Sequence, residues 1–154
     1  MDDDHCPGHT PAAAAIDAAW AIQIELSTRV GPGRLPHDCG LVREELACLH
    51  SLFTTTRASL SPIGLGAEQK ADQVHQVAER LREQVLRPFL NRWHPLLAAH
   101  EATRFEGEAM ADHEARWEHN GRFRAELAAL AVPLGQINAE LSEITGGDLE
   151  LAFV

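Results

Sequence analysis

The chain has 154 residues, 45% hydrophobic and 23% charged, with a formal net charge of −10 at pH 7. That length predicts one domain with a core of its own. The acidic balance argues against a nucleic-acid binder, which needs a basic face for phosphate, and no apolar run reaches the length of a membrane span. Only Lys70 among the 13 basic residues is a lysine, and alanine supplies much of the apolar count, which favours helix. Three cysteines, Cys6, Cys39 and Cys48, lack any paired spacing and fit a reducing compartment. The opening "MDDDHCPGHT" has no apolar core of a signal peptide, so a cytoplasmic location is expected.

In chain order, residues 1–9 read as a disordered segment. Thr10 followed by Pro11 reads as an N-cap and first helical position. The helix they open runs through "PAAAAIDAAWAIQIELSTRV", with Ile16, Trp20, Ile24 and Ser27 on its buried face. "GPGRLPHDCG" breaks the chain. A second helix carries Val42, Leu46, Leu49, Phe53, Thr56 and Leu60 at alternating spacings of four and three, a bundle seam, and ends at "SLSPIGLG". The third starts near Ala67 and keeps Val74, Val77, Leu81, Val85, Phe89, Trp93 and Leu96 on one face through Pro88 and Pro95. That pattern predicts a kinked helix or two nearly collinear ones. A fourth, from about Asp112 to Ile144, repeats Phe123, Leu127, Leu130, Leu134, Ile137, Leu141 and Ile144, bends at Pro133 and stops at "TGG". Residues 147–154 form an alternating tail.

These segments predict an all-α fold over residues 10–146: a four-helix up-down-up-down bundle with a long third/fourth hairpin. At 1.5 Å per residue the last two helices would reach roughly 45–50 Å against roughly 30 Å for the first two. A seam left uncovered by that mismatch would mark a contact with a protein partner or a second copy.

"RPFLNRWHPLLAAHE" (87–101) concentrates the unusual residues. As a site, Arg87, Arg92 and His94 around Trp93 would suit a phosphate or carboxylate. As structure, Phe89, Trp93, Leu96 and His100 form a buried stripe, with Arg92 pairing an acid such as Glu114 or Glu118. Nine histidines invite a metal reading, with His75, Glu79, His94, His100, Glu101 and His113 as ligands, but the Glu-x-x-His pairs of carboxylate-bundle sites are missing. Cys39 with His37, ahead of a helix N-terminus, could be a reactive thiol. No phosphate loop and no catalytic set is assembled, so no catalytic residue and no cofactor is assigned.

"LRPFLNRWHPLLAAHE", then "EARWEH" and "FRAELAALAVPL", resembles a group of small uncharacterised helical proteins from high-GC Gram-positive bacteria. The likeness spans roughly residues 12 to 146 and rests on the Arg-Pro, Trp-His-Pro and Glu-x-x-Trp elements. Some of that group accompany multi-component signalling or defence systems, so the resemblance implies an accessory or adaptor role. Together these readings favour a non-enzymatic helical interaction module, expected to form a homo-oligomer, that contacts a protein partner or itself through Arg87, Arg92, Trp93, Leu149, Leu151 and Phe153. A metal-binding bundle and a small-molecule or anion sensor are the alternatives.

Overall fold

The computed structural model describes residues 10–30, 40–64 and 68–147. The disordered segment, the glycine-rich break with His37 and Cys39, the start near Ala67, and the tail residues Leu149, Leu151 and Phe153 lie outside the described residues. All regular structure among the described residues is helical: α1 (Pro11–Val30), α2 (Val42–Ser59), α3 (Gln69–Glu79), a π-helical segment (Arg80–Leu86), α4 (Arg87–Glu101), α5 (Met110–Ala115), α6 (Asn120–Ala129) and α7 (Ala131–Thr145). None of these helices is long and apolar enough to cross a membrane.

The caps follow the sequence. Thr10 accepts from the Ala13 N–H through its hydroxyl at 3.3 Å, as an N-cap before a first-turn proline does. Gly146 ends α7 in the left-handed region at φ 72°, a conformation glycine adopts without a Cβ penalty.

α1 buries a different face from the one expected. Ala15, Ala18, Ala19, Ile22 and Leu26 turn inward, while Ile24 is 50% exposed. The small residues let α1 lie close against α2, α3 and α7. Gln23 shares that face and is fully buried. It donates to the Ser142 hydroxyl at 2.8 Å and accepts from the Thr145 hydroxyl at 3.0 Å, which meets the need of a buried amide for partners. α2 keeps Val42, Leu46, Leu49 and Thr56 of its predicted seam, but Leu52 is buried beside them while Phe53 and Leu60 are only partly buried.

The third helical run passes both prolines without interruption, yet its stripe shifts. In the π segment the Arg87 N–H donates to the Arg82 carbonyl, five residues back. Such a turn takes up one extra residue, at the place where the Pro88 ring would clash with the Gln84 carbonyl of an ordinary α-turn. The buried line therefore runs Leu81, Leu86, Leu90, Trp93, Leu97. Val85 is only partly buried, and Leu96 is exposed. Pro88 and Pro95 face solvent, where the carbonyls that lose a donor can be hydrated.

The expected single fourth helix is three. Backbone bonds Arg116 N–H to His113 O (3.2 Å) and Trp117 N–H to Glu114 O (3.0 Å) close α5. The turn that follows drives Trp117 into the interior. A second break at Leu130 puts Pro133 in the first turn of α7, where its missing N–H costs nothing. Pro133 starts a helix rather than bending one. Folding back in this way lays Trp117 and Phe123 over the seam of α4, which the long-hairpin expectation left open. Phe123 lies 5.5 Å from Phe89 and 5.4 Å from Trp93, and Trp117 lies 5.7 Å from Trp93, between ring centroids.

Candidate functional site

The densest polar chemistry sits where α4 turns into α5. His100, in the last turn of α4, and His113, on α5, stack with ring centroids 4.0 Å apart. Each donates from Nε2 to the other's backbone carbonyl at 2.8 Å. The Nδ1 of His113 faces the Glu108 carboxylate at 3.0 Å, and the Glu108 side chain is only 3% exposed. His113 is thus held at both ring nitrogens, one on a carbonyl and the other on a carboxylate. The other carboxylate oxygen makes no hydrogen bond and is offset by its ion pair with Arg116, which a buried charge requires.

These ties order the 102–109 loop. Glu108 donates its N–H to the Phe105 carbonyl at 3.2 Å, closing a turn in which Gly107 has φ 86°, the left-handed position that favours glycine. Arg104 donates to the Glu108 carbonyl at 2.7 Å, and the Phe105 N–H reaches the Glu108 carboxylate at 3.4 Å. The result is an ordered tip whose Phe105 side is bare: the residue is 66% exposed.

A second carboxylate, Glu114, points from α5 to the start of α2. It accepts from the Val42 N–H at 2.6 Å and the Arg43 N–H at 3.3 Å. Arg43 itself grips Glu101 through two nitrogens. One side of the α2–α4 contact thus reads Arg43 against Glu101 and His50 against His94, whose rings lie 5.9 Å apart. Seven residues forward in α2 match seven back in α4, so the two helices run antiparallel. The His94 pKa is lowered from its usual 6.5, first by burial, then by His50 and Arg43.

The expected contact residues fare differently. Arg87 pairs with Glu83 at 2.5 Å and covers the Phe53 ring at 5.3 Å, which Arg82 flanks at 5.0 Å. Arg92 stacks over Trp93 and pairs with Glu126 at 3.1 Å, rather than with Glu114 or Glu118. Trp93 is 1% exposed and donates its indole N–H to Glu126 at 3.2 Å. Burial puts it in the core, out of a partner's reach.

The expected ligand set is dispersed. The Nε2 of His75 lies 3.2 Å from the Ile63 carbonyl, Glu79 is exposed on α3, and Glu101 is held by Arg43. His100 and His113 do meet, but their Nε2 atoms are spent on carbonyls. Among the described residues no three His, Cys, Asp or Glu side chains gather to hold a metal ion. Sequence reasoning missed Glu108 and His50. Both gain their partners from the tertiary pairing of elements far apart or joined by a turn, and neither falls on a motif. No protein-family model, curated protein or solved structure matches this chain.

Proposed function

We propose that the chain is a non-enzymatic helical interaction module, an adaptor or accessory of a bacterial signalling or defence system, that meets a protein partner or a second copy of itself. The observation that carries this reading is the built presentation of Phe105. A buried carboxylate, a histidine clasp and two arginines order a turn that leaves an aromatic side chain in water, where it gains nothing for folding. Aromatic side chains in such positions are the usual anchors of interfaces. Arg87 and Arg92 add to the contact surface, with side chains 47% and 42% exposed beside their acidic partners. The resemblance to accessory helical proteins points the same way.

Photo-crosslinking tests the reading. A photoreactive phenylalanine analogue at position 105, expressed in the source cells, should give one dominant adduct. An adduct of twice the chain mass identifies self-association, and another mass identifies a partner. A diffuse background equal to that from an analogue at the exposed position Thr54 overturns the proposal.

A further inference from the structure

We propose that His50 and His94 form a two-histidine chelate for a divalent transition-metal ion such as zinc or nickel. The two rings belong to neighbouring antiparallel helices, with centroids 5.9 Å apart and planes at 87°. Two imidazoles sharing one ion at Zn–N distances of ~2.0–2.1 Å place their centroids roughly 5–6 Å apart. The spacing of the two rings therefore matches that of two imidazoles on one ion. Ligands fixed on helices are positioned more accurately than ligands on loops. Both histidines are exposed, so binding buries no uncompensated charge.

The electrostatic setting allows it. Arg43 acts on His94, and its ion pair with Glu101 offsets part of its positive charge. The outward residues one turn away, Ala47 and Thr54 on α2, Asn91 and Ala98 on α4, carry no charge. Imidazole nitrogens suit zinc, nickel and copper rather than calcium or magnesium. Two protein donors leave the other coordination positions to water, which makes this an exchangeable ion and not a structural one. The inference is independent of the interaction surface at Phe105.

Isothermal titration of zinc chloride into the tag-free full chain tests it, with His5 and His9 replaced by alanine in every sample so that they do not compete. We expect one ion per chain. His50→Ala and His94→Ala should each weaken binding at least about tenfold, because each removes the chelate, while His119→Ala leaves it unchanged. Thermal melts check that the variants fold. Absence of binding at millimolar zinc, or equal binding in the His50→Ala/His94→Ala double variant, overturns the proposal.

Discussion

Glu114 stands at a place where a charge is normally costly: it is 2% exposed. Its carboxylate survives there because it completes the N-terminus of α2, accepting two backbone N–H groups that have no partner within that helix. Its own carbonyl accepts from the Asn120 side chain at 2.8 Å, so one residue joins α2, α5 and α6. Glu114→Gln keeps the size but sets an amide NH2 against a backbone donor. We expect a loss of about 2–4 kcal/mol, a cap worth ~1 kcal/mol plus an unsatisfied buried group worth ~1–3 kcal/mol. Urea denaturation gives the total, and hydrogen exchange at Val42 and Arg43 localises it. Unchanged exchange at those two amides would show that the cap does not depend on the charge.

At the scale of elements, the π segment is where pattern and structure part. The spacing Leu81–Val85–Phe89 is ideal for an α-helix, and nothing in it signals an extra residue. The proline is the only local cue, and its effect on register appears only when the packed neighbours of Leu86, Leu90 and Leu97 are known. α2 was readable over Val42, Leu46, Leu49 and Thr56, though not at Leu52, which is buried where Phe53 was expected, and the start of α1 and the end of α7 were readable because Thr-Pro and Thr-Gly-Gly are local signals. The inward face of α1 was not, since Ala15, Ala18 and Ala19 look neutral until close helix approach gives smallness a value. Glu108 and His50 were unreadable for the same reason: each acquires meaning from a partner that topology supplies. Two deletions separate the register shift from a simple loss of length. Deleting Gln84 together with Pro88→Ala should turn the π segment into plain α-helix and leave Leu86, Leu90, Trp93 and Leu97 inward. The melting temperature should fall by only a few degrees, about 1–2 kcal/mol at this chain length. Deleting Asn91 instead rotates the rest of α4 by about 100° and should abolish cooperative melting. Equal losses from the two deletions would refute the register explanation.

Across the whole molecule, the long run of α3, π segment and α4 passes through two kinds of packing. Around α1, α3 and α7 the interior is aliphatic and small, with Ala15, Ala19, Ala71, Val74, Leu134 and Leu141 fully buried. Around α4, α5 and α6 it is aromatic, with Trp93, Trp117, Phe89 and Phe123 in mutual ring contact. α5 and α6 reach the remainder mainly through those rings and through the polar ties of Glu114, His113 and Glu126. Elements held by few partners open at lower free energy than the global transition. Trp117→Ala should therefore act regionally: it removes a large buried side chain, for which ~3–5 kcal/mol is typical, from the aromatic half alone. Native-state hydrogen exchange should quicken sharply at residues 110–129 while amides of α1 and α3 keep protection close to that of the wild type. Trp117 also stacks on His100 of the clasp, 6.0 Å between ring centroids, so the same variant should free the turn that carries Phe105, and a crosslink from position 105 should weaken while the helical circular dichroism is largely retained. If exchange instead quickens by one factor throughout the chain, the two halves unfold as a single unit, and the tip is held by the whole core and not by its own aromatic floor.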